Sequence, residues 1–343
     1  MFRSATTIIA LLFALLGMLW LVPSTAIGVE VKGRSVARYI FLPDDAHAVA
    51  PVVRVEGEKA DKDGGGIFYV DVLVRQATLL ERLFPGLRRG SSLVPVEAVR
   101  SPGVSDKARR RVDLREMARS QDVAAAVALR SIGYEVSAEP RGALVTAVLA
   151  GAPADGKLKP SDVITAVGGK PVRTPDDLRR LVSSRGPGAE VELTIRDGER
   201  LRQVELRTTA DPDQPSRAVI GVLVQQAAEI TLPIDVEIDT GDVGGPSAGL
   251  AFALDVLEEL GKEVDRGYKV AATGAIELDG RVLPIGGVKQ KTIGARNSGV
   301  EVFLVPAGEN AREAGRHAGR LRVIPVHNFR QALRALATLP PKR

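Results

Sequence analysis

Cysteine is absent from this 343-residue sequence, histidine occurs only three times, and aromatic residues make up 4%. Without cysteine the chain has no disulfide, no cysteine nucleophile and no thiolate zinc site. The few aromatic residues leave little surface on which nucleic-acid bases could stack. The net charge of +5 comes from basic residues that are interleaved with acidic ones, so we predict a solvated surface and no nucleic-acid partner.

Charged residues are also missing between Arg3 and Glu30, and within this gap Ile8–Val22 is almost entirely apolar. With its flanking residues this run is long enough to cross a bilayer, which takes about 20 residues. Arg3 on its N-terminal side predicts that the bulk of the chain lies outside the cytoplasm. We predict a transmembrane signal-anchor over residues 1–28 of a single-pass protein of the cell membrane. A signal peptide cleaved near Ser24–Ala26 is the alternative.

The rest of the chain has the pattern of an α+β protein. We predict a β-rich extracytoplasmic segment over residues 29–121. From Leu114 to Ser131 the apolar spacing becomes helical, which predicts a helix there. Residues 122–209 predict a compact unit of strands, hairpins and one helix. The polar, proline-containing residues 210–217 predict a linker, and residues 218–343 predict a last domain of mixed strands and helices.

Gly151–Leu158 fits most of the phosphate-binding loop G-x-x-x-x-G-K-[ST]. Leu158, however, stands where a serine or threonine hydroxyl would hold magnesium. Pro160 follows, so no long helix opens there to face a phosphate with its N-terminus. We predict no nucleotide site at this loop, and we expect the protein to use no cofactor and no metal ion.

Ser247 lies in the sequence VGGPSAGLAF, between a Gly-Gly-Pro turn and an apolar run that predicts a buried helix. A serine at the tip of such a helix has free backbone N–H groups beside it, which could stabilise an oxyanion. Gly245 and Ala248 flank the serine and are expected to support it, Gly245 by allowing a sharp turn. The same sequence also fits a serine that only caps the helix.

Lysine can activate a serine nucleophile if its amine is neutral, which requires burial. Lys289 and Lys291 lie two positions apart on a predicted helix, so their side chains project about 200° apart and only one can face the interior. The periodicity does not choose between them.

The sequences GGPSAGLAFAL and TGAIELDGRVLPIGGVKQKTIGARNSGVEVFLVP resemble the proteolytic domain of Lon proteases over residues 218–339. The resemblance implies that Ser247 and Lys291 form a catalytic Ser–Lys dyad, that Thr273 hydrogen-bonds the lysine, and that Lys289 is a surface lysine. Ring-shaped homo-oligomers are also implied. Gly244 departs from the family, which usually has aspartate there, although Asp242 is nearby.

The 122–209 unit is similar to a PDZ domain of the bacterial protease type, from its sequence GALVTAVLAGAPADGKLKPSDVITAVGGKPV. A PDZ domain adds an extended peptide to a sheet edge. The resemblance places the peptide-binding loop and edge strand at Ser131–Val136, with Gly133 and Tyr134 as candidate contacts. Leu178, on the helix that would form the opposite wall, is a third candidate that also fits a core position.

The combined pattern resembles the membrane-anchored, PDZ-containing Lon-like proteases of bacteria, in which the ATPase module is missing. It predicts an ATP-independent serine endopeptidase that cleaves protein or peptide substrates at the outer face of the membrane, with the PDZ unit recruiting peptides or regulating the site. The alternative is a membrane-tethered PDZ scaffold whose protease domain is degenerate. Ser247→Ala distinguishes the two, because only an enzyme depends on this hydroxyl.

Overall fold

The computed structural model describes residues 30–31, 34–35, 38–56, 65–96, 99, 106–198, 200–241 and 243–342. The predicted signal-anchor over residues 1–28 lies outside this part of the chain. Among the described residues, no helix combines the length and the apolar character needed to cross a bilayer.

The described strands and helices alternate irregularly along the chain. The strands are β1 (Glu30–Val31), β2 (Arg34–Ser35), β3 (Arg38–Ala48), β4 (Val53–Val55), β5 (Gly66–Gln76), β6 (Ser92–Pro95), β7 (Ser137–Val148), β8 (Val163–Val167), β9 (Lys170–Pro171), β10 (Glu190–Asp197), β11 (Arg200–Arg207), β12 (Thr209–Ala210), β13 (Ala218–Val219), β14 (Val222–Thr231), β15 (Val236–Ile238), β16 (Lys269–Ala272), β17 (Ala275–Ile276), β18 (Val282–Leu283), β19 (Val302–Pro306) and β20 (Arg322–Val326). The helices are α1 (Leu79–Leu83), α2 (Asp106–Ser131), α3 (Pro175–Ser183), α4 (Gly249–Glu259), α5 (Val288–Asn297), α6 (Glu309–His317) and α7 (Phe329–Ala337), with a 3-10 turn at Pro246–Ala248.

These elements form two compact units. One unit, which we call the outer unit, combines the described residues up to Ile132 with those from Ile234 onward, and the other, the inserted unit, is formed by the described residues within 133–233. Residues 29–121 were predicted to be a segment of their own, but their strands β3, β5 and β6 lie in the six-stranded sheet of the outer unit. The sequence pattern missed this because β16, which pairs with β5, and β15, which pairs with β4, follow the inserted unit in the chain.

The outer unit is built on a six-stranded mixed sheet in the order β20-β19-β16-β5-β3-β6. Strands β20, β19, β16 and β5 run parallel, whereas β3 pairs antiparallel with β5 and β6. Helix α4 covers one face, where the ring of Phe252 lies 6.0 Å from that of Tyr69 on β5. Helices α5 and α6 cover the other face, in a core cluster that includes Val70, Val288 and Ala314.

The inserted unit is a five-stranded antiparallel path, β11-β10-β8-β7-β14, with helix α3 packed against it. Thr174 and Asp177 form a capping box at the start of α3. Strand β14 pairs with β7 from Thr231 opposite Ser137 to Val222 opposite Val148. It therefore belongs to this unit, although the sequence assigned it to the last domain.

The predicted linker at residues 210–217 is an ordered turn inside the inserted unit. Strands β12 and β13 bring Ala210 opposite Ala218. Between them the carboxylate of Asp211 accepts hydrogen bonds from the guanidinium of Arg217 and from the backbone of Asp213. Proline and aspartate were interpreted as signs of a linker, but here they form a turn closed by an ion pair.

Helix α5 packs closely against strand β3 at Gly294. The Cβ of any residue replacing Gly294 would lie 1.9 Å from the carbonyl oxygen of Asp44, at the irregular part of β3 between Pro43 and Ala46. The hydroxyl of Ser298, one turn further on, accepts a hydrogen bond from the backbone of Ala46. The position of α5, and of every side chain on it, therefore depends on a residue without a side chain.

We predict that Gly294→Ala destabilises the outer unit by about 1–3 kcal/mol, because the added methyl group must push α5 away from β3. Gly315→Ala on α6 is the matched control, since nothing lies within 4 Å of a Cβ at Gly315. There we expect a gain of about 0.5–1 kcal/mol from helix propensity. Thermal denaturation of both variants measures the difference, and equal effects would contradict this packing.

Candidate active site

Ser247 stands at the tip of a buried helix, as the sequence predicts. Gly245 has a φ of 90°, a backbone conformation that favours glycine, and Pro246 then opens the 3-10 turn that leads into α4. Every residue of α4 is buried. Because the helix is fixed by packing, the serine at its N-terminal end is held in place and stays partly exposed.

Lys291 brings its amine to this serine from helix α5. The side chain is only 4% exposed. Its Nζ lies 2.8 Å from Ser247 Oγ, 2.7 Å from the carbonyl oxygen of Val70 and 3.3 Å from Thr273 Oγ1. The structure thus brings together the serine, the lysine and the threonine that the sequence singled out, and adds the backbone of strand β5.

The three partners of the amine suit its neutral form. A neutral amine has two N–H donors and one lone pair, and here Val70 and Thr273 offer acceptors for the two hydrogens. The lone pair is then left to accept the hydroxyl hydrogen of Ser247. A protonated amine would instead need three acceptors, and the serine oxygen would be the third.

Burial lowers the pKa of Lys291 to about 8, while the nearby carboxylate of Asp71 acts in the opposite direction. Desolvation has this sign because it disfavours the charged ammonium. A substantial fraction of the amine is therefore neutral near pH 8. A solvated lysine, whose ordinary pKa is 10.5, has the same neutral fraction only near pH 10.5.

Thr273 links the lysine to the backbone of the serine. Its hydroxyl, which is fully buried, accepts from Lys291 and donates to the carbonyl oxygen of Ser247 at 3.2 Å. The N–H of Gly274 donates to the same carbonyl at 2.8 Å. The carboxyl end of strand β16 therefore fixes the serine backbone and the lysine amine relative to each other.

The residues around the serine have further contacts that the sequence did not indicate. The N–H of Gly245 donates to the carbonyl oxygen of Asp113 at 2.8 Å, so it is not directed at a substrate. Ala248 is buried at the end of the 3-10 turn. Lys289, predicted to be a surface lysine, is partly buried and donates to Ser91 and Ser92.

Helix α2 packs against the serine turn, which no local pattern indicated. The hydroxyl of Ser120, only 5% exposed, donates to the carbonyl oxygen of Pro246 at 3.0 Å. A Cβ at Gly244 would lie 2.8 Å from the Cβ of Asp113. The resemblance leads one to expect aspartate at position 244. The space for a side chain there is instead filled by Asp113 of α2. Asp242 lies outside the described residues.

The candidate peptide-binding residues of the inserted unit are not grouped together. Gly133 and Tyr134 are exposed, but they precede strand β7 and do not lie in an edge strand at 131–136 as predicted. Leu178 is 3% exposed and packs in the core of this unit, so its core interpretation fits the structure. Strand β7 pairs with β8 only at Ala143 and Leu144, which leaves one side of Ser137–Arg141 without a strand partner among the described residues.

We predict that the free energy of unfolding of the wild-type protein rises with pH between about 8 and 10.5 because of Lys291. In this range the unfolded chain still binds a proton at Lys291 whereas the folded protein has lost it, so rising pH favours the folded state. The effect is roughly 3 kcal/mol over the window. Lys291→Met removes this pH dependence, so the stability of the wild type relative to the variant should rise with pH.

Denaturant titrations at pH 7, 8, 9 and 10 measure this difference. Ser247→Ala is the control, because it retains the buried amine and should keep the slope of the wild type. A constant difference between wild type and Lys291→Met over the whole range would show that the amine is not desolvated as described.

Comparison with known families agrees with the two regions of resemblance. Residues 225–336 match the C-terminal proteolytic domain of Lon protease, family S16. Residues 130–208 match the PDZ domain family. The PDZ domain of an SdrC-like protein from Listeria monocytogenes, a solved structure, is 24% identical and covers 24% of this chain and 87% of its own, with a TM-score of 0.23.

Curated relatives are Lon proteases that are much longer than the matched regions. The Lon protease of Chloroflexus aggregans is 31% identical over 157 residues, which are 44% of this chain and 19% of the relative. Lon protease 2 of Thermus thermophilus is 35% identical over 104 residues, or 27% of this chain and 13% of the relative. The chain thus spans less than a fifth of either relative, and it carries a PDZ domain and the C-terminal proteolytic domain of the Lon proteases.

Proposed function

We propose that this protein is a serine-type endopeptidase in which Ser247 is the nucleophile and Lys291 is the general base. The observation that carries the proposal is the distance of 2.8 Å between Ser247 Oγ and a buried amine whose pKa is about 8. Such a pair needs no histidine. Two of the three histidines have other side-chain contacts: His47 stacks on Tyr69, and His317 lies 3.2 Å from Glu313.

The reaction follows from this geometry. Neutral Lys291 accepts the hydroxyl proton as Ser247 Oγ attacks the carbonyl carbon of a peptide bond. Backbone N–H groups at the serine turn stabilise the oxyanion, while Val70 and Thr273 hold the protonated amine. Lysine then returns the proton to the leaving amine, and water hydrolyses the acyl-enzyme with Lys291 again as the base.

The resemblance to Lon-like proteases without an ATPase module is the basis for proposing that the enzyme works without ATP. In the P-loop-like sequence, Gly151 N–H is bonded to the carboxylate of Asp155, and Leu158 packs in the core of the inserted unit. The apolar run Ile8–Val22 behind Arg3 supports a location at the membrane, with both units on its outer side. Ring-shaped oligomers remain a prediction from the resemblance.

We predict that the full-length protein cleaves an unstructured protein without nucleotide, and that Ser247→Ala and Lys291→Ala each reduce the rate by roughly 10³-fold or more. New termini are read by mass spectrometry. The rate should rise with pH through about 8, because only the neutral amine can accept the proton. Lys289→Ala, on the same helix, is the control and should retain most of the activity.

Cleavage that persists in both variants would exclude the dyad. If the wild type neither cleaves nor reacts with a fluorophosphonate probe at Ser247, the alternative function applies, namely a non-catalytic PDZ scaffold that binds peptides and is tethered to the membrane.

The inserted unit is proposed to bind an extended peptide beside Ser137–Arg141 of β7, where one side of the strand lacks a strand partner. We predict that Tyr134→Ala, which removes the exposed ring next to this strand in the chain, weakens peptide binding about 10-fold. Leu201→Ala is the control, because Leu201 is also exposed but lies on β11. Fluorescence anisotropy on the Ser247→Ala background measures both. Equal affinities would remove Tyr134 from the peptide site.

A further inference from the structure

Helix α1 and the turn that follows it carry an exposed apolar patch formed by Leu83, Phe84 and Leu87. These residues are 62%, 58% and 47% exposed, respectively. A single exposed leucine is ordinary, but three large apolar residues within five positions form a patch. The N–H of Leu87 donates to the carbonyl oxygen of Phe84 at 2.9 Å, which closes a tight turn and keeps the patch together. We call residues 83–87 the apolar tip.

The base of the tip is held by a buried carboxylate. Glu81 of α1, only 2% exposed, accepts hydrogen bonds from the guanidinium groups of Arg75 and Arg88 and from the backbone of Thr78. Burial alone would raise the pKa of Glu81, but these hydrogen bonds lower it to about 2. The carboxylate therefore stays charged and keeps its partners. The tip is exposed although the element that carries it is ordered.

Basic side chains border the tip on both sides. Arg82 precedes it and Arg89 follows the second of its bordering arginines, and both are at least partly exposed. The only carboxylate between residues 72 and 96 is that of Glu81, which is buried and bonded to two other arginines. An apolar surface bordered by cations matches the boundary of an anionic bilayer, where acyl chains lie next to phosphate groups.

The tip is also connected to the helix that carries Lys291. Gln290, the residue before this lysine, donates from its side chain to the carbonyl oxygen of Gly90 at 3.0 Å. A Cβ at Gly90 would lie 3.0 Å from the side chain of Ile293 on the same helix. Leu87 is three residues from Gly90, which is at most about 11 Å of chain. A surface that binds the tip therefore lies close to helix α5.

We propose that the apolar tip inserts into the surface of an anionic phospholipid bilayer, with Arg82 and Arg89 at the level of the lipid phosphates. This contact is separate from the proposed anchor at Ile8–Val22. The anchor would confine the chain to the membrane, whereas the tip orients the outer unit on it and brings Lys291 toward the lipid. Peptide segments next to the bilayer are then the substrates within reach. That consequence for substrates rests on the proposed function, and the lipid contact does not.

A bilayer suits the size of the tip better than a protein partner does. A stable protein interface buries about 800 Å² on each side, which is more than three side chains supply. A lipid contact of this size is weak in isolation. It becomes sufficient when an anchor on the same chain already holds the protein at the membrane, because the second contact is then intramolecular.

The absence of cysteine allows the insertion to be measured with a single label. Leu87→Cys is introduced into the full-length chain carrying Ser247→Ala, labelled with a fluorophore and reconstituted in phosphatidylglycerol vesicles whose acyl chains carry a nitroxide quencher. Leu201→Cys is the control, because Leu201 is 67% exposed but belongs to the inserted unit. We expect the acyl-chain nitroxide to quench the label at position 87 and not the label at position 201.

The part of the arginines is measured in the same vesicles. Replacing Arg82 and Arg89 together by glutamine should lower the ratio of inserted to free tips about 10-fold or more, since each basic residue near an anionic surface contributes to binding. Arg330→Gln combined with Arg334→Gln is the matched control. It removes the same charge from exposed positions on α7 and should leave the ratio unchanged. Vesicles of phosphatidylcholine should lower the ratio as the first pair does.

Three results would overturn the proposal. The first is a label at position 87 that the lipid does not quench. The second is equal quenching in the two lipids, or equal effects of the two arginine pairs, because the cations would then have no part in binding. The third is a label that is protected from lipid and transfers energy to a label on a second copy, which would show that the chain covers its own tip.

These results are independent of catalysis, because every protein in the series lacks the Ser247 hydroxyl. Insertion of the tip can therefore be observed even if the chain proves to have no protease activity. A tip that stays outside the lipid would likewise leave the proposed dyad untouched.

Discussion

Burial of the Lys291 amine is the constraint on which the outer unit is organised. Removing an amine from water costs free energy unless its N–H groups are hydrogen-bonded. Its three partners come from three distant parts of the chain: the backbone of β5, the end of β16 and the tip of α4. None of these segments can shift without leaving a buried polar group unpaired. The same contacts that stabilise the amine therefore also place it against the serine.

Glycines and small side chains make this arrangement possible, because three elements must approach closely. Helix α5 lies against β3 at Gly294, and helix α2 lies against the serine turn at Gly244 and at Gly249, where a Cβ would be 2.7 Å from Ser120 Oγ. At each of these positions the neighbouring element occupies the space that a side chain would need. Close packing of this kind is stiff, and it holds the serine turn in place.

The sequence singled out residues that lie together in the candidate site, but it did not predict the division into units. Ser247, Thr273 and Lys291 lie in continuous motifs within one part of the chain, so their local pattern carried the resemblance. Periodicity alone did not choose between Lys289 and Lys291. The burial of the Lys291 side chain distinguishes them, and this burial depends on β5, which is more than 200 residues away in the sequence. Val70 and Ser120 had no local signal, since each acts through a long-range contact. The two-unit division was missed because the Asp–Pro stretch at 210–217 has the composition of a linker and forms a turn.

The chain enters and leaves the inserted unit at neighbouring positions. Ser137 and Thr231 are directly opposite each other on β7 and β14, about 5 Å apart, so the two chain crossings of this unit are close together. Domains with adjacent ends can be removed or exchanged with little disturbance to their host. The protease region lacks this property, because residues 225–336 omit β3, β5 and α2. A fragment cut at those family boundaries loses Val70 and Ser120, whereas a chain that joins residue 132 to residue 234 retains both. The inserted unit is thus the separable module of this protein, and the proteolytic sequence motif by itself is not.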